Sequence, residues 1–334
     1  MSVIGKSRFD EPGLCFRTTP SVPVVPLHPA IRSMLDAEVA GPSFEVLHYS
    51  EFRAAREAMM LGRPRRHEPV GSIEDRTLPG PAGEISVRVY RPTGGVGPPP
   101  IVAYFHGGGW VLGTLDTHED VCRTLVNRSG VLLVSVGYRR APEHRFAVPL
   151  EDCVAAVRWC ALRGAEIGGD GGRVAVAGDS AGGNLAAAVA LRLRDEGGPP
   201  LAIQVLIYPV TNFGFDTESY REYAEGFGLT RGLMRYFWKS YLANATDGRQ
   251  AYASPLQAAN LSDLPPTLIL TAQYDVLRDE GEAYAARLAQ AGVRVRCTRY
   301  QDMNHGFIQL AGLCEPALHG LAEVADALRA ALAR

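Results

Sequence analysis

One serine in this 334-residue chain stands where a strand, a sharp turn and a helix are predicted to meet. In RVAVAGDSAGGNLAAAVA, residues 173–190, Ser180 follows a short apolar run and precedes an alanine-rich run. Gly178 and Gly182 flank it in the pattern G-x-S-x-G, where the glycines let strand and helix approach closely while the hydroxyl stays exposed. The pattern predicts a nucleophile. The alternative is a structural glycine turn with an incidental serine, whereas a dinucleotide-binding loop fits less well because G-x-G-x-x-G does not occur.

A general base must lie near such a serine, because a hydroxyl on its own is a weak nucleophile. His305, in DMNHGF, directly follows the last predicted strand, on a loop at the same edge of the sheet as Ser180. His144, in APEHRF, also follows a strand and is the main alternative, but it precedes the serine in the chain. Four other histidines are expected to be surface or packing residues: His28, His48, His67 and His319. The sequence therefore favours His305.

An acid that orients the base completes the arrangement, and Asp275 ends the predicted strand TLILTAQYD. The chain order serine, aspartate, histidine is the order found in α/β-hydrolases. Asp302 is closer in sequence to the histidine and is expected to stabilise its loop instead. Asp179 is adjacent to the serine, so its side chain should point away and serve as a hydrogen-bonding support. Two further acids are expected to begin the next helix, where the positive end of the helix dipole favours them: Asp279 and Glu280.

Acyl transfer also needs donors for a developing oxyanion, and the run YFHGGGW at 104–110 can supply them. Backbone N–H groups converge on one point only where side chains do not obstruct them, as in a run of glycines. A further donor is expected from the N–H of Ala181, the residue after the serine. His106 is then a structural residue of the loop. The alternative, a flexible glycine linker, is disfavoured because the run lies between an apolar strand and Trp110.

Alternating strands and helices must position these residues. The predicted strands are 85–90, which is expected to be antiparallel, and 101–105, 131–136, 173–177, 203–208, 267–271 and 293–300. The predicted helices lie near 118–129, 150–163, 181–195, 279–291 and 316–333. Strands that alternate with helices and read as continuous apolar runs indicate a mostly parallel sheet covered on both faces.

Two segments break this alternation. Residues 1–60 show no clear strand but have helical apolar spacing, and residues 211–262 form a long insertion between two strands. In the insertion, TRGLMRYFWKSYL predicts a helix capped at Thr230 with an apolar face of Leu233, Met234, Phe237, Tyr241 and Leu242. Insertions of this length are commonly lids or binding elements.

The composition excludes several classes of partner. With 34 basic and 36 acidic residues the net charge is −2, so nothing steers the chain towards nucleic acid or an anionic membrane. No apolar run approaches the ~20 residues of a membrane span, and MSVIGKSRFDEPG lacks the apolar segment of a signal peptide, so a cytoplasmic location is expected. The six cysteines form no C-x-x-C pair and no metal-ligand spacing. They are expected to be small buried side chains, and no metal site is predicted.

Five blocks of sequence resemble the bacterial hormone-sensitive-lipase-like carboxylesterases. In chain order they are HGGGW at 106–110, YRRAPEHRF at 138–146, GDSAGGN at 178–184, YDVLRDEG at 274–281 and HGF at 305–307. The resemblance implies an α/β-hydrolase fold, with a mostly parallel sheet of about eight strands flanked by helices and a helical cap. It implies a two-part cap, 1–60 and 211–262, on a catalytic domain of 70–210 and 263–334.

The same resemblance implies roles for six residues: the nucleophile Ser180, the acid Asp275, the base His305, and the oxyanion donors Gly108, Gly109 and Ala181. Two positions depart from the family pattern, because Val276 stands where proline is usual and Arg140 where leucine is usual. Neither departure touches the chemistry.

The implied activity is hydrolysis of short- to medium-chain acyl esters without a cofactor, on a small-molecule substrate. A homodimer through the last strand, a candidate edge strand, and the last helix is an expectation by analogy. A non-catalytic, receptor-like ligand-binding protein of the same fold is an alternative, which the intact serine, aspartate and histidine disfavour. Lipase or amidase activity is a second alternative. Four side chains are candidates for the acyl-pocket wall, although core packing explains them equally well: Phe213, Met234, Phe237 and Phe307.

Overall fold

The computed structural model describes residues 14–16, 25–38 and 47–333, which fold around a nine-stranded sheet. The strands are β1 (Leu14–Phe16), β2 (Ser72–Gly80), β3 (Gly83–Arg91), β4 (Pro100–Phe105), β5 (Leu132–Gly137), β6 (Asp170–Asp179), β7 (Gln204–Ile207), β8 (Thr267–Tyr274) and β9 (Val295–Asn304). Their order across the sheet is β1-β9-β8-β7-β6-β4-β5-β3-β2. β3 is antiparallel to β2 and β5, and the other neighbouring pairs are parallel. The predicted fold class is confirmed.

All seven predicted strands are present, and the sequence missed two more. In β2, SIEDRTLPG, Leu78 is the one buried residue, because this edge strand pairs only with β3 and gives no apolar alternation. β1 is three residues long and pairs in parallel with 295–297 of β9, a long-range contact that leaves no local pattern. Two expectations are therefore wrong: residues 1–60 do contain a strand, and β9 is not an edge strand, because it lies between β8 and β1.

The helices cover both faces of the sheet, as predicted. They are α1 (Pro29–Glu38), α2 (Tyr49–Leu61), α3 (Glu119–Ser129), α4 (Val148–Arg163), α5 (Ala181–Asp195), α6 (Glu218–Glu222), α7 (Arg231–Tyr241), α8 (Arg278–Gln290) and α9 (Glu315–Leu332). α3 packs on α9, and α4 packs on α5. Every residue of β7 and β8 is buried, which continuous apolar strands require. Among the described residues no helix is long and apolar enough to cross a membrane. The location of the protein stays a prediction.

Both segments that interrupt the alternation contain helices. α1 and α2 come from residues 1–60, of which 1–13, 17–24 and 39–46 lie outside the described residues. α7 begins as predicted, because the Thr230 side chain accepts a hydrogen bond from the N–H of Leu233 at 3.0 Å. The predicted apolar face of α7 is buried. The ring of Phe52 in α2 packs edge-on against Tyr236 in α7, with centroids 5.6 Å apart, so the two segments contact each other.

Five cysteines have described side chains, and all five are buried free thiols: Cys122, Cys153, Cys160, Cys297 and Cys314. Burial raises the pKa of each thiol, to about 12 for Cys160. Their predicted role as small buried side chains is confirmed, while the side chain of Cys15 lies outside the description.

Candidate active site

Ser180 occupies a strained turn between β6 and α5. Its φ of 56° and ψ of −119° are angles that a residue with a side chain rarely adopts. The turn is fixed on both sides, because its N–H donates to the carbonyl of Ile207 at 2.8 Å and its carbonyl accepts from the N–H of Asn184 at 3.0 Å. A Cβ on Gly182 would overlap the carbonyl oxygen of Phe105. The glycine in the motif is therefore required by the close approach of α5 to β4.

The three side chains predicted for the chemistry meet at the C-terminal edge of the sheet. Nε2 of His305 lies 2.8 Å from Oγ of Ser180, and Nδ1 lies 2.7 Å from Oδ2 of Asp275. A carboxylate can only accept hydrogen bonds, so Nδ1 carries a proton and Nε2 of the neutral ring accepts the serine hydroxyl. Asp275 is 1% exposed, and its other oxygen accepts from the N–H of Leu277 at 2.9 Å. The carboxylate is thus held in place on both oxygens.

The alternatives considered from the sequence make other contacts. His144 is exposed on the loop after β5. Asp302 lies in β9 and not on the loop of His305 as expected, and its backbone carbonyl accepts from the N–H of His28 at 2.9 Å. Asp279 and Glu280 lie in the first turn of α8, as predicted. Among the described residues, none of these four side chains hydrogen-bonds to Ser180 or His305.

The glycine run after β4 turns beside Ser180. Gly108 and Gly109 have φ of 119° and 60°, and a Cβ on Gly109 would overlap the ring of Phe237. In the part of the chain that the structure describes, the N–H groups of Gly108, Gly109 and Ala181 donate to no protein acceptor. Both glycines line the same cavity as Ser180. The three N–H groups that are expected to bind an oxyanion therefore make no hydrogen bond within the described protein.

Asp179 hydrogen-bonds to this glycine run, and its side chain is 1% exposed. Its Oδ1 accepts from the hydroxyl of Tyr104 at 2.7 Å and from the N–H of Gly107 at 3.0 Å. Its Oδ2 lies 3.4 Å from Nε2 of His118 and 3.3 Å from Nε2 of Gln309. Burial acts to raise the pKa of Asp179, but the polar groups around the carboxylate outweigh it and lower the pKa to about 2. The predicted supporting role of Asp179 is confirmed.

His106 is a structural residue of the same loop, as predicted. Its Nδ1 lies 2.9 Å from the carbonyl of Gly107, which can only accept, so Nδ1 carries the proton. The ring stacks on Tyr138 with centroids 4.3 Å apart, and the Tyr138 hydroxyl donates to the His106 carbonyl at 2.7 Å. Burial, with the nearby His118, lowers the pKa of His106 to about 3. The ring is neutral at physiological pH and fixes the loop without exchanging protons.

Sequence reasoning missed three polar residues near the site. His118, fully buried before α3, and Gln309, in the turn Phe307–Leu310, both contact Asp179. Glu280 was expected only as an acid at the start of a helix, yet it is 2% exposed. The position of His118 soon after the glycine run is the one sequence signal that could have indicated its role. The contacts of Gln309 and Glu280 depend on packing between distant segments.

Glu280 anchors the start of the inserted segment. Its Oε1 accepts from the N–H groups of Thr211 and Asn212 at 2.7 and 3.1 Å, and its carbonyl accepts from the Thr211 hydroxyl at 2.8 Å. Its Oε2 is buried without a hydrogen-bond partner among the described residues. Burial raises the pKa of Glu280 to about 8, against the opposing effect of the two N–H donors and with a further rise from Asp275.

A cavity of about 120 Å³ opens at Ser180. Its described walls come from three parts of the chain: α1 and α2 supply Met34, Leu35, Arg56 and Met60, the insertion supplies Leu229, Leu233 and Phe237, and the loops at the sheet edge supply Gly108, Gly109, Ser180, Tyr208 and His305. Phe237 is the one predicted wall residue found there. Phe213 instead packs edge-on against Trp238, with centroids 5.2 Å apart, and Phe307 and Met234 are buried in the core.

The two departures from the family pattern also have contacts. Val276 is fully buried, and its carbonyl accepts from the Ser219 hydroxyl at 2.7 Å, which ties the turn after Asp275 to α6. Arg140 forms an ion pair with Glu57 of α2 and donates to the carbonyl of Gly113 at 2.7 Å. Arg140 therefore joins α2 to the segment that follows the glycine run.

Known proteins are similar to this chain in sequence and in structure. A protein-family profile described as alpha/beta hydrolase fold matches residues 102–309. Carboxylesterase NlhH of Mycobacterium tuberculosis is 39% identical over 322 residues, which cover 94% of this chain and 100% of that protein. Carboxylic ester hydrolase LipN of the same organism is 44% identical over 268 residues, 78% of this chain and 71% of LipN.

Solved structures of esterases are also similar to this chain. A thermostable esterase from Pseudomonas putida superposes with a TM-score of 0.88 at 39% identity, over 92% of this chain and 98% of that one. A hyperthermophilic esterase from the archaeon Pyrobaculum calidifontis superposes with a TM-score of 0.86 at 41% identity, over 92% and 99%. These likenesses extend well beyond the motifs around the serine, and the chain belongs to the hormone-sensitive-lipase-like carboxylesterases of the α/β-hydrolase fold.

Proposed function

We propose that this carboxylesterase hydrolyses small acyl esters through an acyl-enzyme on Ser180, with His305 as general base and acid and Asp275 as the orienting acid. The observation that carries the proposal is the continuous chain of hydrogen bonds from Asp275 Oδ2 to His305 Nδ1, 2.7 Å, and from His305 Nε2 to Ser180 Oγ, 2.8 Å. The chain ends at a cavity, where an ester carbonyl can reach the hydroxyl.

In the acylation step, Ser180 Oγ attacks the ester carbonyl while Nε2 of His305 takes the hydroxyl proton. The ring becomes an imidazolium, and Asp275 stabilises it without taking a proton. The tetrahedral intermediate collapses when Nε2 returns that proton to the leaving alkoxide. The alcohol departs and the acyl group stays on Ser180.

The negative oxygen of the intermediate is bound by the N–H groups of Gly108, Gly109 and Ala181. Support comes from their lack of a protein acceptor in the described ranges and from the place of both glycines in the wall of the cavity at Ser180. Gly107 is not a donor in this scheme, since its N–H is bonded to Asp179. Loss of one such donor costs about 10²–10³ in kcat in other hydrolases.

Deacylation repeats the same proton transfers with water. His305 takes a proton from a water molecule, which attacks the acyl carbonyl, and then returns the proton to Ser180 Oγ. The carboxylic acid leaves, and the free enzyme is restored without a cofactor.

We propose that residues 1–60 and 211–262 form the two parts of a cap over a catalytic domain of 70–210 and 263–334. The support is the wall of the cavity, to which α1, α2 and α7 all contribute. Contacts between cap and domain add to it: Arg53 of α2 donates to the carbonyl of Val111 at 2.8 Å and pairs with Glu143 at 2.7 Å.

The size of the cavity supports short to medium acyl chains. A protein cavity of about 150 Å³ admits a molecule as large as benzene, and the cavity here is about 120 Å³. Its apolar wall residues, among them Leu229, Leu233 and Phe237, suit an alkyl chain of a few carbons. We therefore expect acetate to hexanoate esters to be preferred over palmitate esters.

The test is a series of p-nitrophenyl esters from acetate to palmitate, with Ser180→Ala as the matched variant. We expect turnover to fall as the chain lengthens and the variant to lose about 10⁴-fold or more in kcat. Labelling with a fluorophosphonate and peptide mapping should place the label on Ser180. Unlabelled Ser180 with no esterase activity would favour the receptor-like alternative, and turnover highest on palmitate emulsions would favour a lipase.

We also propose a homodimer through β9 and α9. Since β1 covers 295–297, the contact would use the part of β9 beyond Cys297 together with α9. Size-exclusion chromatography with light scattering tests the proposed dimer. A mass of one chain, 36.0 kDa, at micromolar concentration would contradict it.

A further inference from the structure

Gln309 connects the loop of His305 to the residue before Ser180. It lies four positions after His305, in the 3₁₀ turn Phe307–Leu310. Its amide nitrogen lies 2.9 Å from Nε2 of His118 and 3.3 Å from Oδ2 of Asp179. One –NH₂ group carries two hydrogens, so it can donate to both neighbours at once.

The protonation of His118 follows from its other neighbours. The Thr117 hydroxyl lies 2.9 Å from the carbonyl of Thr114, which can only accept, so the hydroxyl donates there. It must then accept from Nδ1 of His118, 2.9 Å away. In the neutral ring Nε2 therefore has a lone pair and faces Asp179 Oδ2, an acceptor, at 3.4 Å. Two acceptors face each other, and the Gln309 amide supplies the hydrogens that satisfy both.

We propose that Gln309 is a positioning residue for ester hydrolysis: its amide nitrogen bridges His118 and Asp179, and so fixes the carboxylate that holds the glycine loop beside Ser180. The inference rests on the proposed function, because it assigns catalysis to Ser180 and the oxyanion donors to that loop. The link is short, since the same carboxylate accepts from Gly107 at 3.0 Å. The bridge also ties the loop of the base to the loop of the oxyanion donors.

Removing the amide leaves this pair unsatisfied. Without it, Nε2 of His118 and Oδ2 of Asp179 face each other at 3.4 Å as two acceptors. A buried acceptor that loses its donor costs free energy, so we expect the carboxylate to shift and the glycine loop to shift with it.

The experiment compares wild type with Gln309→Leu, Gln309→Glu and a control, Gln290→Leu, which changes an exposed residue of α8. Steady-state kinetics are measured on p-nitrophenyl acetate. We expect Gln309→Leu to lose about tenfold in kcat with KM unchanged, because His118 and Asp179 are left as two facing acceptors. Gln309→Glu adds a third acceptor and should fall further, whereas Gln290→Leu should match wild type.

A kcat of Gln309→Leu equal to that of wild type would overturn the proposal, and so would a loss that lies in KM instead of kcat. A wild-type measurement does not depend on whether the variants fold. In ¹⁵N-histidine spectra, His118 should show the neutral ring protonated at Nδ1, and a ring protonated at Nε2 would contradict the bridge. Fluorophosphonate labelling of wild-type Ser180 separates the two hypotheses: labelled, active enzyme whose kcat is unchanged in Gln309→Leu contradicts the role of Gln309 alone, while unlabelled enzyme contradicts the proposed function.

Discussion

The ring of Tyr208 lies against the ring of His305, with centroids 4.7 Å apart and an angle of 56° between the planes. Tyr208 follows β7 with a φ of 36°, its N–H donates to the carbonyl of Leu270 at 2.6 Å, and its side chain is 1% exposed. The imidazole thus lies close to a fixed aromatic ring, tilted relative to it. The negative face of such a ring stabilises a cation close to it.

Replacing Tyr208 by leucine should therefore slow the steps in which His305 is cationic. We expect Tyr208→Leu to lose about 10-fold in kcat, the scale of a desolvated cation–π contact. Tyr208→Phe keeps the ring face and should stay within about threefold of wild type. Rates on p-nitrophenyl acetate check both. Equal losses in the two variants would assign the role to the hydroxyl instead.

Asp275→Asn should reverse the hydrogen bonding of His305. The amide oxygen can keep the N–H of Leu277, so the –NH₂ group faces Nδ1, which must then lose its proton, and Nε2 can no longer accept from Ser180. A loss of about 10³–10⁴ in kcat is expected from the wrong tautomer. Asp302→Asn is the matched variant and should keep wild-type kcat. A larger loss in Asp302→Asn than in Asp275→Asn would refute the assignment of the acid.

Gly109→Ala should displace the glycine loop, because the added Cβ overlaps the ring of Phe237 and φ is 60°. The expected loss is about 10² in kcat, the scale of one misplaced oxyanion donor. Gly197→Ala is the control, since its φ is 61° but nothing lies within 4 Å of the new atom. The double variant Gly109→Ala/Phe237→Ala should regain part of kcat at a higher KM. Failure to regain any would show that backbone strain, and not the overlap, causes the loss.

Glu280 should make the protein less stable as the pH rises. Its pKa is raised to about 8 in the folded protein, against ~4.3 in an unfolded chain. Between these values the folded state binds the extra proton, so the free energy of unfolding decreases with rising pH, by at most about 1.4 kcal/mol per pH unit. Glu280→Gln keeps a neutral acceptor for Thr211 and should remove this slope, with a higher stability than wild type above about pH 8.

Urea unfolding of both proteins at about pH 5, 7 and 9 measures that slope. The exposed Glu84 offers a control, since Glu84→Gln should leave the wild-type dependence on pH unchanged. A wild-type slope that survives in Glu280→Gln would contradict the raised pKa.

The sequence predicted most of the candidate site because its signals are local. Ser180, Asp275 and His305 each follow the end of a predicted strand, and the carboxyl ends of parallel strands meet at one edge of a sheet. The strained turn and the glycine run could likewise be predicted from their residue types alone. The roles of these residues in catalysis stay predictions, although the structure brings all of them together.

What could not be predicted depends on contacts between distant segments. β2 has one buried residue, Leu78, and β1 exists only through its pairing with β9. Gln309 and Glu280 look like ordinary polar residues of a turn and a helix, because burial by other segments, and not their own neighbours in sequence, gives them their partners. The wall of the cavity was mostly missed for the same reason, with Phe237 the exception.

The burial of α5 affects how strongly the N-terminus of this helix attracts a negative oxygen on a substrate at Ser180. Ser180 stands directly before the first residue of this helix, and twelve of its fifteen residues are buried. The N-terminus of a helix carries about half a positive charge, and counter-ions screen it only where solvent reaches it. The attraction between this helix end and a negative oxygen on the substrate is shielded from the surrounding electrolyte. Turnover of uncharged esters should therefore change little between dilute buffer and concentrated salt.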